Sequence, residues 1–548
     1  MILKTKTQSA GLLVAIALSL IMINSTPNSN AQAANTKQEI SLYSNSDISS
    51  LDVSKVTDSN TFTQLDNVNE GLYQYDKNGK PKPALATKTI ISNDKKTYTI
   101  NLRKNAHWSN GDPVTAHDFV YSWRRAVNPD TASEYIYLLS NLKNAEEIAA
   151  GKKPINQLGV EATGKYQLKI QLNKPQAYFK MILARETLFP LNKKVVEKYG
   201  KSYGTSSNKA VYNGPFVNTG WNGSNSSWKL KPNPYYWDKK HVKLQQINYS
   251  VVKEPSTAYN LYQTNKLDQM TLVGEQAKQM AGDKDIVRRP LAATQYLQSN
   301  LKKGNGLENK NIRTAISLSI NRKQITKRIL SNGSTPASGF VSQGLAKNPK
   351  TGKDFYKETY VKNTADYNPK LARKLFKKGL QQTGKKKIEI TLLTTDIDTS
   401  KQVAEFIQGQ IQSNLSKIKV TMKAVPANNR IAAVSKGDYD IVFQGWSADF
   451  ADPYTFLQMF TTKSPQNHSG WSNTTYDQAI ADSNNKDAAN KQSRWNDMVL
   501  AEKTLLKNQG VTPLYRMNNE DLVNPKLKGI LYNQVNGHYV YKNAYLTK

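Results

Sequence analysis

Two acids stand where an open α/β sheet could present them to a ligand. Asp449 and Asp452 follow the apolar run Tyr439–Phe443 within FQGWSADFADPYTFLQMF, beside Trp446 and Phe450. Ligands bind at the carboxyl ends of strands in such sheets, and a carboxylate desolvated by aromatic rings calls for a cationic partner. A ligand ammonium group would serve. Both acids also read as turn or helix-cap positions, Asp452 before Pro453 in particular.

The remaining reactive types exclude more than they offer. His107, His117, His241, His468 and His538 are far apart, and none has the HExxH spacing of a zinc enzyme. No GxSxG elbow occurs. Gly379–Lys386 (GLQQTGKK) follows a phosphate loop until Lys386 replaces its Ser/Thr, and it joins a helix to a strand, the reverse of the required order. It reads as a helix C-terminus with Gly384 in a turn. The chain has no cysteine, which removes disulfides, thiol nucleophiles, cysteine zinc sites and iron–sulfur clusters. The expectation is a protein without catalytic residues, metal or cofactor, and not an enzyme.

Alternating and helical patterns supply the elements that must position Asp449. Glu39–Tyr43 reads as a first strand. In Glu70–Pro129, Ile90–Ile91 and the alternating Tyr98, Ile100 and Leu102 form two strands joined around Asn93–Asp94. Ser109–Gly111 is a turn. Thr115 caps a helix with Asp118 at its third position and Phe119, Trp123 and Val127 on one face, and Asn128–Pro129 ends it. Tyr166, Leu168, Ile170 and Leu172 alternate as another strand, Pro175 introduces a helix around Tyr178–Ala184, and Tyr212–Trp237 suits short antiparallel strands. Ile388–Leu393, the helix face Val403, Phe406, Ile407 and Ile411, and the strand Ile418, Val420 and Met422 form a βαβ unit. Tyr439–Phe443 is a further strand ending at Gly445–Trp446. The pattern is α/β with mixed sheets.

At 548 residues the chain has room for three or four units of about 150 residues. Lys4 and Lys6, the apolar run Gly11–Ile23 and Ala31-Gln32-Ala33 read as a secretion signal, the alternative being an uncleaved anchor. The run is shorter than the ~20 residues that span a bilayer. The net charge of +34 suits anionic wall polymers or lipid headgroups outside a cell. Its Lys and Arg residues are scattered, without the framework of a nucleic-acid site. A generally basic solvated surface accounts for most of them.

Several ordered stretches resemble one family. YTINLRKNAHWSNGDPVTAHDFVYSWRRAVNP (Tyr98–Pro129), GKKPINQLGV (Gly151–Val160), NGPF (Asn213–Phe216), IRTAISLSINR (Ile312–Arg322) and GWSADFADPYTFL (Gly445–Leu457) are similar to solute-binding protein family 5, especially its oligopeptide-binding members. The resemblance runs from about Ser41 to Tyr541. It implies a type II periplasmic-binding-protein-like fold, two lobes with an extra inserted domain. The implied divisions are a signal peptide over 1–33, domain I from 34–73, 175–294 and 513–548, domain II over 74–174 and domain III over 295–512. Crossings near Gln295 and Pro513 would be the hinge.

The resemblance also implies a function. Such proteins close two lobes over a peptide held like an added strand and deliver it to a membrane permease of the ABC type. Asp449 matches the position that pairs with the peptide α-ammonium. Gly445, Trp446 and Ser447 match the stretch offering backbone hydrogen bonds, and Thr57, Asp58 and Ser59 fall where the facing strand lies. Tyr121 matches a tyrosine lining the cleft, or else packs between lobes. Relatives can carry a cysteine pair at the positions of Ala293 and Ser447. Basic residues that hold a peptide C-terminus in some relatives are not evident: Phe443 stands at one such position and Asp396–Ser400 lacks a histidine. The expectation is a monomeric, cell-surface receptor for oligopeptides. A narrow peptide-signal receptor and a basic adhesin for wall polymers are the rival readings.

Overall fold

Three larger sheets organise the chain, of which the computed structural model describes residues 37–548 apart from Asn78 and Ala281. The secretion signal expected over residues 1–33 lies outside the described residues. In the first sheet Glu39–Ser44 runs parallel to Gln246–Val251, which continues antiparallel through Ser227–Pro232 to Phe216–Thr219. Ile40 and Leu42 alternate inward and share a core with Leu230, Ile247 and the helix residues Phe62, Leu65 and Val68.

The second sheet is built wholly within residues 86–171, in the order Ala86–Ile91, Thr97–Leu102, Gln167–Gln171, Val160–Gly164. Tyr98, Ile100 and Leu102 point inward as their alternation requires. The hairpin closes at Ser92–Lys95, where Lys95 takes φ 58°. The helix Ala116–Val127 begins where Thr115 and Asp118 lock together: the Asp118 carboxylate accepts from the Thr115 N–H at 2.7 Å and its hydroxyl at 3.0 Å. Phe119, Trp123 and Val127 then enter the core beside Leu168 and Ile170.

The third sheet has seven strands. Its main order is Gln269–Leu272, Thr512–Val523, Ile286–Ser299, Ile441–Ser447, Ile388–Thr395, Ile418–Val425, and Thr335–Pro336 joins Thr512–Val523. The expected βαβ unit is present, with helix Asp398–Asn414 between parallel strands and Val403, Ile407 and Ile411 buried beneath them. The two long strands pair antiparallel from Ile286↔Leu522 to Leu297↔Thr512, and their register shifts between Pro290 and Thr294 and again between Gln295 and Tyr296. Pro290 and Pro513 both flank these irregularities, as strand prolines without an N–H must.

Two local expectations are corrected. Ile441–Ser447 runs past Gly445–Trp446 instead of ending there, because Ile286–Ser299 pairs with it as far as Ala293↔Ser447. Those two residues, the positions of the cysteine pair in some relatives, are directly opposed. Thr57–Ser59 is not a strand: Asp58 caps the helix Ser59–Val68, its carboxylate accepting from the Thr61 N–H at 2.8 Å. Gly384 closes the helix Pro369–Thr383 at φ 69°, in keeping with a helix end and not a phosphate loop.

Candidate functional site

The site starts from an unfinished strand edge. Ile441–Ser447 has Ile286–Ser299 along its full length on one side. On the other, Ile388–Thr395 pairs only with Ile441 and Val442, so among the described residues the edge beyond is open. The Ala448 N–H donates to the Ala292 carbonyl at 2.9 Å. Antiparallel alternation therefore turns the backbone of Trp446 toward Ile286–Ser299 and the N–H and C=O groups of Gly445 and Ser447 toward the open edge. Both residues are exposed. Trp446 is fixed beneath them, its indole N–H donating to the Thr455 carbonyl at 3.0 Å.

Asp449 lies two residues beyond this edge. Its backbone N–H donates to the Thr455 hydroxyl at 3.1 Å, and that hydroxyl lies 3.3 Å from Asp449 Oδ2. Burial pushes the Asp449 carboxyl above the usual aspartate range; Arg185, Thr455 and the Tyr137 hydroxyl pull it back without cancelling the effect. Arg185 is itself buried, with Nε and Nη1 lacking a protein partner, and is held charged by Glu186, Tyr75 and Asp449 against its own desolvation. A further cation brought to Asp449 would relieve a charge that the fold compensates only in part. Tyr137 and Arg185 had no signal in the local sequence, since they come from segments remote from Asp449, whereas Thr455 stands six residues beyond it in the same segment.

Asp452 has a different task. Arg494 holds it in a bidentate pair at 2.7 and 2.8 Å, and its carboxylate also accepts from the Tyr454 N–H at 3.0 Å. Between the two acids, Phe450 stacks on Tyr178 with ring centroids 4.4 Å apart, and Tyr454 stacks on the same ring at 5.3 Å. These rings and Tyr137 border a cavity of about 320 Å³ that also reaches Asn141, Gln176 and Asn484. At the inner end of the open edge stands a cation missed by the sequence reading: Arg430 Nη1 donates to Gln444 Oε1 at 2.9 Å.

Tyr121, Asp58 and Ser59 make no hydrogen bond with Asp449 among the described residues. Tyr121 packs from the helix Ala116–Val127 against the core of the first sheet and borders a shallow cavity with Lys55, Arg125 and Glu197. Asp58 is occupied as a cap and also accepts from the Ser49 hydroxyl at 2.6 Å. Ser59 borders a separate cavity of about 330 Å³ walled by Tyr43, Tyr249, Tyr539 and Tyr541.

Among the described residues, one trio has the ligand types and spacing of a cation site. His538 Nδ1 lies 2.8 Å from Asp66 Oδ2 and 3.2 Å from Glu186 Oε1. The adjacent Arg185, 3.2 Å from Glu186, already supplies positive charge. A protonated imidazole between two carboxylates completes the balance without a metal.

Comparison with known proteins gives a consistent picture. The model for bacterial extracellular solute-binding proteins, family 5 Middle, matches residues 80–468. The dipeptide-binding protein of Lactococcus lactis subsp. cremoris is 36% identical over 553 residues, covering 98% of each chain. Among solved structures, Listeria monocytogenes OppA bound to peptide is 40% identical with a TM-score of 0.78, covering 94% of this chain and all of that one. The pheromone receptor PrgZ is 37% identical with a TM-score of 0.78, covering 93% of this chain and all of that one.

Proposed function

The chain belongs to family 5 of the bacterial extracellular solute-binding proteins, and from that premise we propose that it captures oligopeptides outside the cell and delivers them to an ABC-transporter permease. It is a peptide receptor, and it releases its ligand unchanged. The observation that carries the reading is the open edge at Gly445 and Ser447 leading to a buried, undercompensated carboxylate at Asp449. An extended peptide added to that edge gains main-chain hydrogen bonds that ignore side-chain identity. Its α-ammonium ends at Asp449, its first side chain lies toward the cavity beside Tyr137, and its carboxylate end faces Arg430. Tyr121, Thr57, Asp58 and Ser59 enter the site through resemblance; their contacts give them packing and capping work.

We keep the implied domain division, with domain I from 34–73, 175–294 and 513–548, domain II over 74–174 and domain III over 295–512; the first sheet falls within domain I, the second within domain II, and the third is shared between domains I and III. The paired register shifts at Gln295–Tyr296 and Pro513 mark the hinge of this reading. No helix among the described residues is long and apolar enough to cross a membrane. A narrow signal receptor is the second reading, favoured by the likeness to PrgZ.

Mass spectrometry of peptides released from natively purified protein tests the proposal, followed by tryptophan fluorescence titration of the peptide-stripped protein. A mixture of unrelated short peptides with saturable binding is expected. A single recurrent sequence would favour the signal receptor, and no bound peptide with no saturable change would end the proposal.

A further inference from the structure

The helix Pro369–Thr383 carries charge of one sign only. Lys370, Arg373, Lys374, Lys377 and Lys378 recur at the three- and four-residue spacing of one helix face and are all exposed. No acid stands in the helix, and Lys370 occupies the first turn, where the helix dipole favours negative charge. The nearest ion pair along the chain is Lys387 with Glu389, Nζ–Oε1 2.6 Å; among the described residues none of the five is ion-paired.

This arrangement works against the helix that bears it. Like charges three and four residues apart destabilise a helix, and a solvated face needs no such row. Two other helices pair opposite signs, Lys193 with Glu197 and Asp398 with Lys401, and the helices Lys310–Ser319 and Ala427–Lys436, which also lack acids, carry only two cations each. The apolar side of Pro369–Thr383 is already committed, with Ala372 and Phe376 packed in a core with Ile312 and Ile316. No hydrophobic face is left to enter a bilayer. The five cations span about 12 Å along the axis at ~1.5 Å per residue. A row one helix face wide matches a chain of charges better than a plane of them.

We propose that the Lys370–Lys378 row is a docking surface for a linear polyanion bearing repeated phosphodiester groups, the chemistry of an anionic wall polymer. Lysine-rich rows suit this partner because point charges neutralise successive phosphates without fixed bidentate geometry. The surface is independent of the peptide site and would hold the receptor in the envelope while its cleft works.

The test measures binding of the full chain to soluble poly(glycerol phosphate) over a salt series. One variant combines Lys370→Gln, Arg373→Gln, Lys374→Gln, Lys377→Gln and Lys378→Gln. A control of equal charge change combines Lys88→Gln, Lys96→Gln, Lys104→Gln, Lys152→Gln and Lys231→Gln, all exposed positions elsewhere. The row variant is expected to lose at least about tenfold in affinity and to flatten the log–log salt slope by roughly three, with the control close to the unaltered protein. Equal loss in both, loss in neither, or preference for phosphatidylglycerol vesicles or polyglutamate over the polymer would overturn the proposal. Lysine acetylation footprinting of the unaltered chain gives a second readout that requires no variant to fold. The polymer should protect Lys374, Lys377 and Lys378 and leave Lys88 and Lys104 reactive; uniform reactivity overturns the assignment.

Discussion

Burial makes ionisation of Asp449 costly, and in the proposed reading a ligand cation recovers that cost. Burial raises its pKa, so the carboxylate takes up a proton at higher pH than an ordinary aspartate, near 3.9. Peptide affinity should therefore fall as the solution is acidified from neutrality, and Asp449→Asn should make the profile flat. The same substitution should cost about 2–4 kcal/mol of binding, the usual penalty for removing one partner of a buried charge pair, yet raise the melting temperature of the empty protein. Calorimetry across pH with both proteins checks all three outcomes. The His538 trio predicts a separate pH effect on stability. Burial disfavours the charged imidazole, but Asp66 and Glu186 outweigh it and hold His538 above its usual pKa. That contribution is complete below the unfolded value of about 6.5 and is lost as pH rises through the folded one. Asp66, desolvated and facing Glu186, is raised to about 6, so its ionisation between about 4 and 6 also lowers stability as pH rises. Glu186 beside Arg185 is the more acidic carboxylate, at about 2. Thermal melts should thus be higher at mildly acid than at alkaline pH. His538→Ala should cost about 3 kcal/mol or more at mildly acid pH by stranding the buried Asp66 carboxylate, and should remove the histidine's share of that slope while leaving the share of Asp66.

In the proposed reading, recognition turns on the strand Ile441–Ser447. If a peptide completes its open edge, N-methylation along the peptide should weaken binding at alternate residues, by about 1 kcal/mol where an N–H faces Gly445 or Ser447 and little between them. A uniform effect along the peptide would argue against strand addition. Much of this element was legible beforehand: the apolar run before Gly445, the acid after it and the aromatic flank all stand in one short segment. Its true length was not, because Gly445 and Trp446 break the alternation and only pairing with Ile286–Ser299 carries the strand to Ser447. Tyr98, Ile100 and Leu102, and the Ile388–Met422 βαβ unit, were readable because local alternation and helix periodicity agree with their burial. At Thr57–Ser59 the resemblance implies a strand, and nothing in that polar stretch reveals the helix cap until Asp58 meets the Thr61 N–H. Tyr137, Arg185 and Arg430 were invisible for a different reason: each reaches the site through tertiary packing that no local pattern encodes.

At the scale of the whole molecule, two long strands join the cores of the first and third sheets through a pairing broken twice near Pro290 and Pro513. Ligand that binds the closed arrangement stabilises it by mass action, about 2.7 kcal/mol at a hundredfold excess over Kd. Melting should rise with peptide concentration in one transition shared by all lobes, followed by differential scanning calorimetry. A rise confined to one of several transitions would place the peptide within a single lobe instead of between two. The proposed receptor holds an extended peptide whose free ammonium meets Asp449. Isothermal calorimetry with one hexapeptide, offered with a free and with an acetylated N-terminus, tests this directly. Saturable one-to-one binding of the free form is expected, with at least about tenfold weaker binding of the acetylated form, the loss of roughly 1.4 kcal/mol or more that follows when a buried charge partner disappears. Equal affinity for the two forms would contradict it.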